Sequence, residues 1–182
     1  YDPNERTFEL MYEDPTYDVA GPVGGCRTAD GGASIDEKTN ELTYVSYYAE
    51  KPVRLFFDDE VQSTNDMLEA AFPEEIVRPV TWSKDRNKVV LSVSSSSNPG
   101  DFYYFDKENM ILTFLWDNSP WIDRNKLAKK VPIKYTARDG LVIHGYLTIP
   151  LGTSGKNLPM VVHPHGGPNA RDYIGYDTYV QF

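Results

Sequence analysis

The sequence predicts a mainly β chain that carries propeller-type blades and then a separate run of strands. Three observations lead there. Tyr (13) and Phe (8) are abundant in 182 residues, as β structure favours. A segment repeats at a 47-residue offset. The C-terminal third alternates apolar and polar residues around an Asp-Gly turn, as paired strands do.

The repeat fixes the first elements. Ile35-Asp36-Glu37-Lys38-Thr39-Asn40-Glu41-Leu42-Thr43-Tyr44-Val45-Ser46 matches Trp82-Ser83-Lys84-Asp85-Arg86-Asn87-Lys88-Val89-Val90-Leu91-Ser92-Val93. Each copy reads as an apolar residue, a polar turn, and then an apolar strand. The aromatic strands Leu55–Phe57 and Tyr103–Phe105 follow, each running into an acidic turn, and Met110–Leu115 supplies a fourth strand. A period in the forties with about four short strands is the mark of a propeller blade. Tyr1–Asn4 is expected as a turn and Thr7–Tyr12 as the last strand of an earlier blade. Residues 61–72 carry helix formers with apolar positions at 61, 67, 68, 71 and 72, and Pro73 follows. That predicts a short inserted helix packed through Leu68, Ala71 and Phe72. Ser94–Ser97 with Asn98-Pro99-Gly100 is expected as a hairpin loop. The tryptophans Trp82, Trp116 and Trp121 are expected in core or interdomain packing.

Charge divides the chain. Residues 1–120 hold 23 acids and 10 bases, whereas residues 121–182 hold 4 acids and 8 bases. The step predicts a first unit over 1–118, a linker over 119–130, and a second unit over 131–182. The basic stretch Asp123–Lys130 is expected to be solvated, with at most a turn or two of helix. In the second unit, Val131, Ile133 and Tyr135 share one face of a strand. Arg138-Asp139-Gly140 is a hairpin turn, and Leu141, Ile143, Leu147 and Ile149 are expected to form the buried face of the returning strand. Leu158–Val162 is wholly apolar, as a strand covered on both faces would be.

Composition narrows the partners. A net charge of −9 and pI of 4.8 disfavour nucleic acid and anionic membrane. No apolar run approaches the roughly 20 residues of a membrane helix. Cys26 is the single cysteine, and His144, His163 and His165 are the three histidines, so no metal site and no cofactor is expected. The chain starts Tyr1-Asp2-Pro3-Asn4 without Met and stops at Phe182. A piece of a longer protein is expected, and no targeting signal assigns a compartment.

The apolar run leads directly into His163-Pro164-His165-Gly166-Gly167-Pro168. A glycine pair after a central strand turns the backbone sharply and presents N–H groups that can face a developing oxyanion. These residues carry a resemblance. Thr136–Gly140, Ile143–Leu147, His165–Pro168, Arg171-Asp172, Gly175–Asp177 and Val180–Phe182 resemble the start of the catalytic domain of prolyl oligopeptidase family serine peptidases, in the acylaminoacyl-peptidase-like branch.

That resemblance implies an α/β-hydrolase domain preceded by a β-propeller, and hydrolysis of short peptides by Ser-His-Asp acyl transfer. It implies that Gly167 lends its N–H to the oxyanion hole. His165 stands where related branches place a tyrosine that reaches the oxyanion, and Arg171 and Asp172 brace the loop. The chain departs from the family in having no G-x-S-x-G elbow; Gly152-Thr153-Ser154-Gly155 precedes the apolar run. It is therefore expected to hold part of an oxyanion hole, to lack nucleophile, acid and base, and to be inactive alone. Its expected partners are a short peptide substrate and either a second copy or the remainder of the parent chain. A non-enzymatic propeller-type binding module is the alternative reading. His144 is expected at the surface, and His163 as a hydrogen-bonded structural residue. The acids Asp58, Asp59, Glu60 and Asp106 are expected in solvated turns.

Overall fold

A computed structural model of the chain describes residues 10–17, 19, 32–36, 38–167 and 170–182. The chain divides into two compact units, Tyr1–Asn65 and Asp66–Phe182, so 119–130 and 131–182 both fall in the second. Among the described residues the structure is mainly β. The expected turn at 1–4 and the first part of the expected strand at 7–12 lie outside the described residues. Leu10–Tyr12 form no regular strand.

The first unit holds an antiparallel sheet of β1 (Gly32–Ile35), β2 (Leu42–Tyr48) and β3 (Pro52–Phe56), in that order. Val45, Tyr47 and Tyr48 of β2 are buried. Tyr47 hydroxyl donates to Asp14 Oδ2 at 2.9 Å and lies 3.1 Å from Tyr12 hydroxyl. This ties residues 10–17 to β2.

Helix α1 (Asp59–Ala71) follows. Asp58 caps its start, accepting from the N–H groups of Glu60 and Val61, both at 2.9 Å, so this acid works as an N-cap. Leu68 is the buried residue of the helix, and Met67 and Phe72 pack against the same core. Ala71, expected in that contact, is exposed. The longer Met67 reaches the core from the neighbouring turn instead.

The second unit is built on a meander: β4 (Ile76–Trp82), β5 (Lys88–Ser95), β6 (Asn98–Asp106) and β7 (Ile111–Asp117), hydrogen-bonded in sequence order and antiparallel throughout. Strand β5 explains why this sheet has a core. Its odd positions Val89, Leu91 and Val93 are 2%, 0% and 1% exposed, and period-2 alternation puts all three on one face. Val77, Phe105 and Leu68 complete the cluster. Burying one such side chain contributes about 1.5–3 kcal/mol.

The two repeat copies share their local design. Asp36 N–H donates to Glu41 carbonyl at 2.9 Å, and Ser83 N–H to Lys88 carbonyl at 2.8 Å. Both turns thus close over the same spacing. Asn40 and Arg86 take the left-handed conformation there, at φ 58° and 65°.

Several expectations need correction. The β5–β6 turn is only Ser96-Ser97, and Asn98-Pro99-Gly100 already belongs to β6. The Asn98 side chain accepts from Gly100 N–H at 2.9 Å, so a sequence rich in turn formers stabilises a strand entry instead. Trp82, Trp116 and Trp121 are 37%, 48% and 78% exposed, outside the core. Trp116 stacks on Phe102 along the open side of the sheet. Asp106 is buried and accepts from the backbone and side-chain nitrogens of Asn109, both at 3.1 Å.

Strands β8 (Lys130–Thr136) and β9 (Val142–Thr148) form the expected hairpin. Gly140 sits in its turn at φ 89°, a conformation that glycine adopts without strain. The expected buried face is open: Leu141, Leu147 and Ile149 are 61%, 40% and 42% exposed. Leu158–Val162 forms no strand, and Val161 is 90% exposed. Strands covered on both faces are buried by neighbouring strands and crossover helices, which apolar composition alone does not supply.

Candidate functional site

The loop His163–Gly167 is exposed and without regular structure, and it bends at Gly166-Gly167. Gly167 stands at φ 153°, where a residue with a Cβ is disfavoured. A Cβ on Gly166 would meet nothing within 4 Å. The His165 Nδ1 lies 2.8 Å from the Gly166 carbonyl oxygen. A carbonyl only accepts, so Nδ1 carries the proton, and in the neutral ring Nε2 is the unprotonated nitrogen. Pro168 lies outside the described residues.

His163, expected as a structural histidine at the end of a buried strand, is exposed and meets the ring of Tyr179 edge-on, with centroids 6.2 Å apart. His144 is exposed on β9, opposite Lys134. Ser154 lies in an exposed turn, where its hydroxyl accepts from Lys156 N–H at 3.4 Å. Among the described residues no three His, Cys, Asp or Glu side chains gather as a metal site.

After the loop, Arg171 lies over the ring of Tyr173 at 5.7 Å, and its Nε donates to the Asp172 carbonyl at 3.4 Å. The short helix α2 (Thr178–Gln181) is capped by Asp177, whose Oδ1 accepts from Tyr179 and Val180 N–H at 2.9 and 3.2 Å. Its last residue, Gln181, bonds to Ser96 and Ala128. Lys130 reaches the Tyr173 carbonyl with its Nζ at 3.0 Å. Burial lowers the Lys130 pKa, and Asp177 and Asp172 oppose that shift.

A second polar cluster lies at the β6 end of the sheet. The Arg124 guanidinium grips Asp101 through two 2.6 Å hydrogen bonds and meets Asp117 at 2.9 Å. Asn98 Nδ2 donates to Asp101 and Glu75, each at 3.2 Å. Arg124 belongs to a single 3₁₀ turn, Arg124–Lys126. Within the 119–130 stretch Arg124, Ala128 and Lys130 are thus held by other elements, whereas Trp121, Asp123, Asn125, Lys126 and Lys129 stay exposed. Sequence reasoning missed Asp101, Arg124 and Lys130 as partners, because contacts across 23 or 43 positions leave no periodic trace. The basic stretch and the Val180–Phe182 match were the available signals.

No family model matches the chain. Dipeptidyl aminopeptidase BIII of Pseudoxanthomonas mexicana is 28% identical over 159 residues, which cover 84% of this chain and 23% of that protein. These relatives are peptidases. Dipeptidyl peptidase family member 6 of Caenorhabditis elegans is 23% identical over 171 residues, covering 82% of this chain and 23% of its own length. The chain thus spans under a quarter of the curated relatives it matches, and the stretch they share includes most of its described structure.

Proposed function

We propose that this chain is a segment of a serine peptidase that hydrolyses short peptides by Ser-His-Asp acyl transfer, and that its His-Gly-Gly loop supplies one oxyanion donor, the Gly167 N–H. The observation that carries this reading is the similarity to dipeptidyl peptidases across more than four-fifths of the chain. Because both relatives bear that name, we favour the dipeptidyl peptidase branch over the acylaminoacyl-peptidase branch. The meander β4–β7 and the matched turns support reading 1–118 as terminal propeller blades, with 119–130 as the connection. Residues 131–182 are then the first part of an α/β-hydrolase domain. The triad lies on other parts of the enzyme, so this chain alone is inactive.

In acyl transfer, negative charge grows on the substrate carbonyl oxygen. A preplaced N–H stabilises that charge because it needs no reorganisation during the reaction. Gly167 suits the task, since its φ of 153° favours a residue with no Cβ beside the donor. His165 has a supporting role, with Nε2 left to meet a donor or water.

The test uses the full enzyme. Gly167→Pro removes the N–H and should lower kcat by roughly 10²–10³. Gly167→Ala keeps the donor and is strained at this φ, but proline cannot adopt it at all, so the second control is that the Pro variant still binds a substrate-like ligand while turning over slowly. The proline variant should lose clearly more activity per active site. His165→Ala should cost less than Gly167→Pro. Equal losses in the Pro and Ala variants would remove Gly167 from the oxyanion hole.

A further inference from the structure

We infer that Gln181 and Lys130 are positioning residues for the His163–Gly167 loop, and that they hold it through Ser96 in the β5–β6 turn. The inference rests on the oxyanion reading of that loop.

The loop has no sheet or helix of its own, so something else must fix it. Two ties do so. The first runs through α2. Gln181 Nε2 donates to the carbonyls of Ser96 and Ala128, each at 2.7 Å, and Ala128 N–H donates back to Gln181 Oε1 at 3.0 Å. Both hydrogens of the amide and one acceptor site are thereby used. The Ala128 backbone is paired as a neighbouring strand would pair it. Two residues before Gln181, Tyr179 places its ring against His163, at the entry to the loop.

The second tie runs through Lys130. Its N–H donates to Ser96 Oγ at 2.9 Å, and its Nζ donates to the Tyr173 carbonyl at 3.0 Å. Tyr173 follows Gly167 by six positions in the chain. Ser96 therefore anchors both ties, one through its carbonyl and one through its hydroxyl. Ser96, Ala128 and Lys130 are 7%, 6% and 9% exposed, so these bonds have little competition from water, and a lost partner leaves a buried polar group unsatisfied.

The chemistry makes this matter. An oxyanion donor acts only at hydrogen-bonding distance from a charge that exists briefly. A displacement of about 1 Å at a reacting centre can cost on the order of 10²-fold in rate. A frame that meets the loop at His163 and holds Tyr173 further along the chain would control that distance without touching substrate. Its effect should fall on kcat and spare KM.

The experiment uses the full enzyme, with active sites counted by fluorophosphonate labelling so that unfolded protein does not contribute. Gln181→Leu removes all three amide bonds at similar size. Gln181→Glu keeps the acceptor but replaces the Nε2 that donates both bonds with an oxygen that faces two carbonyls. Each should lower kcat per active site by roughly 10- to 100-fold, with KM changed less than about twofold. Lys130→Met should act in the same direction. In a Gly167→Pro background, Gln181→Leu should add little further loss, because the donor it places is already gone.

Normal kcat per site in both Gln181 variants would overturn the inference, leaving Gln181 a stabilising residue only. Full additivity with Gly167→Pro would overturn it as well. If Gly167→Pro alone leaves kcat intact, the oxyanion reading fails first and the inference falls with it. That outcome is distinct from the other two.

Discussion

Asp101 receives two hydrogen bonds from Arg124 and one from Asn98, and Glu75 stands on the far side of the same Asn98. Asp101 and Asp117 share the Arg124 guanidinium, whose own pKa is pushed up, chiefly by its hydrogen bonds to Asp101. Glu75 lies farther from that cation, and its pKa is raised, first by burial, while Asn98 and Ser95 hydrogen bonds oppose the shift and Asp101 adds to it. The sign of the pH effect follows. The unfolded chain releases the Glu75 proton near the ordinary value of 4.5, and the folded chain releases it later. Between those two values the folded state binds more protons, so stability falls as pH rises. Glu75→Gln removes the ionisation and keeps an amide that can still pair with its neighbours. The stability of the wild type relative to this variant should therefore decline as pH climbs from 4.5 through the raised value, then level off. Urea midpoints of both proteins from pH 4 to 8 measure this, and a pH-independent difference would contradict it. Little of this cluster is legible in the sequence. Arg124 reads as one base in a charged stretch and Asp101 as one more acid, because their pairing depends on how β6 and the 3₁₀ turn meet.

Elements were easier to read than contacts. Helix α1 carries its signal locally, in the apolar spacing, the Asp58 cap and Pro73. The β8–β9 hairpin is fixed by Asp139-Gly140, and the β4–β5 turn by polar residues between two apolar runs. Burial is less legible, since it depends on what covers a face. Strand β7 shows the difference. Met110–Leu115 was legible as a strand, and the structure shifts it only to Ile111–Asp117, yet Ile111, Phe114 and Trp116 are 53%, 53% and 48% exposed. It is the last strand of its sheet among the described residues, so its outer backbone groups and both of its faces stand open. Apolar edge strands of this kind pair with other chains. We propose that a second copy of this chain is the partner when the 182 residues are isolated. Light scattering should then give a mass above the 20.7 kDa monomer. Ile111→Lys should shift it towards monomer, because a charge on an edge opposes pairing. A wild-type chain that is monomeric at high concentration would count against the proposal.

At the scale of the molecule, charge and chemistry are both unevenly distributed. The acids gather in residues 1–120, and the glycine-rich loop that carries the proposed oxyanion donor lies in the basic remainder. The loop stands out in the sequence because His-Gly-Gly-Pro after an apolar run is a compact motif. Its proposed support does not, because Ser96, Lys130 and Gln181 come from three distant stretches. Acyl transfer by this family of mechanisms needs a nucleophilic serine on a strained elbow, a histidine to take its proton and an acid to orient that histidine. The 182 residues have no G-x-S-x-G, and the nearest approach, Ser154, accepts a local hydrogen bond from Lys156 N–H. A serine without such a base keeps its proton at neutral pH and reacts no faster than serine in solution. The isolated chain should therefore take up no fluorophosphonate, while the full enzyme takes up one equivalent per active site. Intact mass spectrometry of both proteins, treated side by side, reads the two outcomes directly. A stoichiometric adduct on the isolated chain would place a working nucleophile within these residues and overturn the assignment of the triad to the rest of the enzyme. Failure of the full enzyme to label would instead favour a binding module without catalysis.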